Sequence, residues 1–216
     1  MDKAVQANRL SRLVDVCDQI DLLLAPEFAP HGFRFRRRDA TYHREQNGVA
    51  LSFALGISSR PPSIGGVGIL IEPHLVAAVN AWMADAERRL ASSSGPVLRW
   101  EHPSPVVWEL LDWLVPGNSP HWTLPDDPEQ AEVEDIAKLL RDSVVEVGLP
   151  FMERLATTEL LLDGVVGGEL RVLDDARFTI ACGALLAGRL DLARTALEPL
   201  GTARRESAAS VLGLPA

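Results

Sequence analysis

The spacing of the apolar residues changes abruptly at residue 33. Between Leu10 and Leu24 an apolar residue recurs every three or four positions, which predicts an amphipathic helix. The run Phe33-Arg34-Phe35-Arg36 instead alternates apolar and charged residues, which predicts a strand with one buried face that carries both phenylalanines. Pro30 and Gly32 lie between the two patterns and separate the helix from the strand.

The alternating pattern continues downstream and predicts a sheet. We expect a return strand over residues 41–45, a hairpin turn at Asn47-Gly48, a third strand over 49–55 and a fourth over 67–71. Four strands joined by short turns form an antiparallel meander, and its apolar face needs a cover. The first helix and a second helix over 75–90 are the expected covers. The sequence therefore predicts an α+β fold with an antiparallel meander of four strands, or slightly more, packed against helices.

Helical patterns return in the second half of the chain. We expect a helix over 129–147, further helical turns over 151–155, and a helical hairpin formed by 176–187 and 192–200. Glycines at 164, 167 and 168 indicate a boundary. The predicted domains are an α+β main domain (1–163) and a helical C-terminal appendage (164–216), which packs on the main domain or on a partner chain.

A proline-rich segment between residues 96 and 128 contains four of the five tryptophans. They are Trp100, Trp108, Trp113 and Trp122. We expect Trp108 and Trp113 on a short helix. The tryptophans could form a ligand surface, but packing in an irregular part of the core is the favoured interpretation.

Charge and composition restrict the possible partners. The chain has 21 basic and 30 acidic residues, a net charge of −9, which argues against general nucleic-acid binding. No apolar stretch approaches the roughly 20 residues that span a bilayer, and the N-terminus does not resemble a signal peptide. Cys17 and Cys182 are expected as buried, reduced thiols, which favours the cytoplasm.

Arginines cluster around the first predicted strand. Five of them fall within twelve residues, accompanied by one histidine and two acids. On an open face they could bind a phosphate or an acidic partner through bidentate hydrogen bonds. Alternatively, they pair with the acidic segment 126–146 of the same chain. The candidate binding residues are Arg34, Arg36, Arg38, His43, Arg44 and Glu45.

Motifs of known catalytic chemistry are missing from the sequence. It has no Gly-x-Ser-x-Gly, no His-Glu-x-x-His and no Cys-x-x-Cys. The glycines at 65, 66 and 68 lack the lysine of a phosphate-binding loop and precede a strand rather than a helix. We therefore predict no catalytic residue, no metal ligand and no cofactor.

The order of several short motifs resembles the DUF 4304 family of uncharacterised bacterial proteins. The motifs are His31-Gly32-Phe33-Arg34, Tyr42-His43-Arg44-Glu45, the strand from Val49, His121-Trp122-Thr123-Leu124 and Gly148-Leu149-Pro150-Phe151-Met152-Glu153-Arg154-Leu155. The resemblance covers residues 8–163 and departs from the family pattern after Leu55, where a polar Gln-x-Ser-like signature is replaced by Gly56-Ile57-Ser58-Ser59. It implies a bacterial protein and no established catalytic residue.

Two classes of function are consistent with these features. The first is a non-enzymatic protein-interaction module, immunity-like or regulatory, with a possible homodimer through the C-terminal helices. The second is a hydrolase or transferase that acts on a phosphorylated or acidic small molecule through residues 34–45. The second class requires a concave pocket that contains His43 or Glu45 beside the arginines.

Overall fold

A computed structural model describes residues 3–92, 104–116 and 122–214 of the protein. These residues form a mixture of helices and antiparallel sheet, which confirms the predicted α+β class. The strands are β1 (Arg34–Arg36), β2 (Thr41–Gln46), β3 (Val49–Ala54), β4 (Ile57–Ser59), β5 (Ile69–Ile71), β6 (His74–Ala78), β7 (Val107–Leu110) and β8 (Thr123–Leu124). The helices are α1 (Lys3–Phe28), α2 (Asn80–Ser92), α3 (Leu111–Leu114), α4 (Gln130–Ser143), α5 (Leu149–Glu153), α6 (Thr158–Val166), α7 (Ala176–Leu186), α8 (Leu190–Leu197) and α9 (Thr202–Leu212).

The larger sheet of the described residues has five strands in the order β1-β2-β3-β6-β7. Strands β1 and β2 are antiparallel, with Arg34 opposite His43 and Arg36 opposite Thr41. The hairpin predicted at Asn47-Gly48 is confirmed. Both residues have positive φ angles, 51° and 77°, as a two-residue hairpin turn with right-handed strand twist requires.

The predicted fourth strand belongs to a different sheet. Strand β5 pairs with β4 and β8 in a three-stranded antiparallel sheet, with Ile69 opposite Ser59 on one side and Leu124 on the other. All three residues of β5 are buried. Strand β8 begins more than fifty residues after β5 ends. No local sequence pattern around β5 therefore predicts that these two strands pair.

On the side away from β2, strand β3 neighbours β6, which lies in a segment where we predicted the start of a helix. Leu75, Ala77 and Val79 are buried and alternate with partly exposed residues, so the segment has the period of a strand. The helix α2 begins only at Asn80. The prediction was wrong because an uninterrupted apolar run fits both periods.

Residue contacts divide the chain into two compact units, which we call unit 1 and unit 2. Unit 1 comprises Met1–Arg44, Ser52–Leu75 and Glu109–Glu153. Unit 2 comprises Glu45–Leu51, Val76–Trp108 and Arg154–Ala216. Helices α6 to α9 thus share a unit with α2, and the separation of residues 164–216 as an appendage stays a prediction.

The core of unit 1 contains an aromatic cluster beneath β1 and β2. Phe28 at the end of α1 stacks on Tyr42 with ring centroids 4.2 Å apart, and it contacts Phe33 and Phe53 at 5.2 Å. Phe33 is buried as predicted, whereas Phe35 is only partly buried at the sheet edge. The aromatic rings therefore hold α1 against the strands that carry the arginines.

The last segment of unit 1 ends in a helix that is interrupted by a wider turn. Helix α4 continues through a π-helical turn (Val144–Gly148) into α5. The amide of Leu149 donates to the carbonyl of Val144, five residues earlier. This wider turn ends two residues before Pro150, which has no amide hydrogen and whose ring would crowd the carbonyl four residues before it in a regular α-helix.

Unit 2 contains the predicted C-terminal hairpin, formed by α7 and α8 and followed by α9. Helix α7 packs on α2, where Gly183 lies directly against the indole ring of Trp82. No helix in the described ranges is long and apolar enough to cross a membrane.

The tryptophans have different environments. Trp122 is buried and donates a hydrogen bond to Asp112, as the core-packing interpretation predicts. Trp113 lies on α3 but is 53% exposed, and Trp108 lies on β7 rather than on a helix. Trp100 is outside the described residues.

Candidate functional site

The register of β1 and β2 separates the six candidate binding residues. Directly opposed residues of an antiparallel pair share a face, so Arg34 and His43 lie on the same side of the sheet. Arg44 is next to His43 in β2 and therefore points to the opposite side, the side of Tyr42. The six residues do not form one surface.

Arg44 is part of the interior of unit 1. Its side chain is 8% exposed, and its Nη1 donates to Glu153 Oε1 at 2.7 Å and to the carbonyl of His31 at 2.8 Å. The guanidinium also lies over the ring of Phe33, 4.7 Å from its centroid. Its Nε and Nη2 atoms are buried and have no hydrogen-bond partner within the described chain. Arg44 thus connects β2 to the end of α5 and is not available to an external ligand.

The oxygen of Glu153 that accepts from Arg44, Oε1, also contacts His31. Nδ1 of His31 lies 3.1 Å from Glu153 Oε1. The hydrogen bond from Arg44, reinforced by the one to His31, lowers the pKa of Glu153, although partial burial acts in the opposite direction. Glu153 therefore stays ionised to a lower pH than a free glutamate.

The other arginines are exposed and follow one another along the chain. We call residues Arg34–Arg38 the arginine edge, because β1 is the first strand of the larger sheet. Arg36 binds Asp39 through two contacts of 3.0 and 2.9 Å, and Arg37 pairs with Asp18 of α1. Among the residues that the structure describes, neither Arg34 nor Arg38 has an ion-pair partner.

The acidic segment 126–146 has other partners. Asp126 accepts two hydrogen bonds from Arg60, at 2.8 and 3.0 Å, and Asp127 pairs with Arg12 at 3.0 Å. In the described part of the chain, no acid of this segment forms an ion pair with the arginine edge. The carboxylates that do so come from α1 and from the turn after β1.

A groove of about 450 Å³ adjoins the arginine edge within unit 1. It lies between the middle of α1, the 3-10 turn after β1 and the start of β4. Its lining residues are Leu13, Val14, Cys17, Asp18, Arg37, Arg38, Asp39, Ala40, Gly56, Ile57 and Ser58. Val14, Cys17 and Asp18 are three and four residues apart, so they lie on one face of the helix.

Cys17 is the one thiol that lines this groove. Burial, together with the charges of Asp18 and Asp21, raises the pKa of Cys17 to about 11, and Arg37 offsets this only in part. A thiol with this pKa is protonated at neutral pH and is a poor nucleophile. Cys17 therefore lacks the lowered pKa of a catalytic thiolate.

Only one of the six candidate residues, Arg38, lines the groove. The other five are not among its lining residues: Arg34, Arg36, His43, Arg44 and Glu45. Sequence reasoning missed the contributions of α1 and β4, including Val14 and Ser58. Val14 falls within the apolar pattern between Leu10 and Leu24, yet it is 45% exposed.

Comparisons with known proteins give no relative. No family model, no curated protein and no solved structure matches the chain. The resemblance to the DUF 4304 family stays a prediction. Within the described residues, no group of three or more histidine, cysteine, aspartate or glutamate side chains is placed to hold a metal ion.

Proposed function

We propose that this protein is a non-enzymatic interaction module that binds an acidic segment of another protein at the arginine edge. The observation that carries the proposal is the contrast between neighbouring arginines. Arg36 and Arg37 are held by carboxylates of the protein itself, whereas Arg34 and Arg38 are exposed and have no ion-pair partner in the described chain. Two guanidinium groups without a counterion in the described residues thus lie next in sequence to two that are paired.

The chemistry of the free groups favours a carboxylate-rich partner. A guanidinium offers paired N–H donors that match a carboxylate, and such pairs are stronger than neutral hydrogen bonds. On an exposed rim these pairs accelerate association and make it depend on salt. With a net charge of −9, the average charge of the protein is opposite in sign to this local positive surface, which favours selective binding over general attraction.

The residues that line the groove favour a binding role over a catalytic role. Its thiol, Cys17, is protonated at neutral pH, and the enzymatic alternative required His43 or Glu45 in a pocket beside the arginines. Neither residue lines the groove, so this alternative gains no comparable support. For such a module we propose a regulatory or immunity-like role in the bacterial cytoplasm.

A peptide titration tests the proposal. A fluorescent hexaglutamate peptide is titrated with the wild-type protein and with single variants at low ionic strength, and hexalysine serves as the peptide control. We expect Arg34→Glu and Arg38→Glu each to weaken hexaglutamate binding roughly tenfold. Arg205→Glu on α9 changes the net charge by the same amount on another exposed surface, and it should change the affinity less than twofold.

An equal loss in Arg205→Glu would show that only total charge matters, and the proposal would be wrong. Absence of hexaglutamate binding to the wild-type protein would also contradict it. Capture from a cell lysate then identifies the partner. The partner must be retained by wild type and Arg205→Glu and lost from the double variant Arg34→Glu/Arg38→Glu.

A further inference from the structure

The walls of the groove leave apolar side chains open to solvent. Val14 is 45% exposed although it lies beside the buried stripe of α1, and Leu13 and Ile57 complete an apolar wall. The volume of about 450 Å³ lies within the range of small-molecule sites, roughly 300–1,000 Å³. The groove is therefore large enough for the apolar body of a small ligand.

The charges that line the groove cancel in pairs, with one exception. Asp18 is paired with Arg37, and Asp39 is paired with Arg36 on the adjoining strand. Arg38 has no ion-pair partner in the described residues, and it leaves one positive charge at the rim. The hydroxyl of Ser58 also lines the groove, and its Oγ is buried with no hydrogen-bond partner in the described part of the chain.

From these features we infer that the groove, which shares Arg38 with the arginine edge, is a binding site for a small amphipathic anion. The ligand has an apolar body that covers Val14, Leu13 and Ile57, and one anionic group, a carboxylate or a phosphate, that pairs with Arg38. A neutral ligand would leave Arg38 without a counterion, and a cation would be repelled by its positive charge. The inference does not depend on a protein partner at the arginine edge.

Matched eight-carbon probes measure the ligand class directly. Octanoate, octyl phosphate, 1-octanol and octylammonium have the same apolar body and differ in the head group. Isothermal titration calorimetry gives the affinity for each, and the shift in melting temperature gives an independent measure, because a ligand of the folded state stabilises it. We expect both anions to bind at least roughly tenfold more tightly than the alcohol and the cation. The ratio of the two anions distinguishes carboxylate from phosphate.

Two pairs of variants locate the site. Val14→Asp places a negative charge in the apolar wall, whereas Leu22→Asp makes the same change on α1 at a residue that is 74% exposed and outside the groove. Arg38→Gln removes the free charge. Arg34→Gln removes the second arginine of the arginine edge that has no ion-pair partner in the described residues, and it does not alter the groove lining. All four positions are exposed, so each variant is expected to fold.

The expected result is loss of octanoate or octyl phosphate binding in Val14→Asp and Arg38→Gln, with wild-type affinity in Leu22→Asp and Arg34→Gln. The inference is overturned if octylammonium binds as well as the anions, or if Val14→Asp binds like wild type. It is also overturned if none of the probes binds. Arg34→Gln separates this result from the proposed function, because it should weaken hexaglutamate binding and leave the groove ligand unaffected.

Discussion

Arg44 Nη1 donates a 2.7 Å hydrogen bond to Glu153 Oε1 and thereby joins β2 to the end of α5. The Arg44 side chain is buried, whereas the Glu153 side chain is 42% exposed. Glu153→Gln would leave Arg44 as a buried charge without its counterion. We expect a loss of roughly 1–3 kcal/mol in the free energy of unfolding at pH 7, measured by urea denaturation. Glu146→Gln, in the exposed part of the π-helical turn, is the control and should change stability by less than about 0.5 kcal/mol.

The same pair predicts how stability depends on pH. The pKa of Glu153 is lower in the folded protein than in the unfolded chain, so its ionised form stabilises the fold. This contribution is complete above the unfolded-state pKa and is lost as the pH falls through the folded-state pKa. The stability difference between wild type and Glu153→Gln should therefore shrink when the pH is lowered from 6 towards 3. A difference that is constant over this range would contradict the assigned role of the carboxylate.

The local signals in the sequence predicted local structure well. The hairpin at Asn47-Gly48 depends on two adjacent residues that tolerate positive φ, and its position is confirmed. The terminal hairpin of α7 and α8 likewise follows from helical spacing on both sides of a short turn. Such elements depend on residues that are neighbours in the chain, so one sequence is enough to find them.

Other features depend on parts of the chain that are far apart in the sequence. The pairing of β5 with β8 and the groove between α1, the turn after β1 and β4 exist only once the chain is folded. The position of Arg44 was partly predictable, because Tyr42 and Arg44 are two residues apart on one strand and share its inner face. Its pairing with Glu153 was not, since no local pattern connects residues 44 and 153.

The contact between α2 and α7 depends on the absence of a side chain at residue 183. A Cβ atom built on Gly183 would lie within 2.6 Å of Trp82 Cε3, and the indole ring is rigid. We expect Gly183→Ala to lower the free energy of unfolding by roughly 1–3 kcal/mol, even though alanine favours helices. The helical glycine Gly164 is the control, because the three atoms nearest to its added Cβ all belong to the Leu170 side chain, which can rotate where an indole ring cannot bend. Gly164→Ala should cost less, and equal losses would show that Trp82 does not restrict this contact.

Gly56, at the end of the groove, combines a positive φ of 58° with a close approach to the carbonyl oxygen of Glu72. Gly65 has a φ of 76°, but a Cβ built there meets nothing within 4 Å. Alanine at either position has the backbone strain of the left-handed region, roughly 1–2 kcal/mol. Gly56→Ala must also displace a backbone carbonyl, so we expect it to be the more destabilising variant by thermal and urea denaturation. A larger loss in Gly65→Ala would contradict the close packing of β4 against the segment after β5.

The rate at which Cys17 is alkylated measures how reactive the thiol in the groove is. With a pKa of about 11, it is almost entirely protonated at pH 8, whereas an ordinary thiol of pKa near 8.5 is partly ionised. Alkylation by iodoacetamide, followed by mass spectrometry of the Cys17 peptide, should be at least roughly a hundredfold slower in the folded protein than in guanidinium chloride. Between pH 7 and 9.5 the rate in the folded protein should rise about tenfold per pH unit without levelling off, because the thiolate is the reactive form. A rate that levels off near pH 7 would reveal an activated thiolate, and the groove would then have to be reconsidered as a catalytic site.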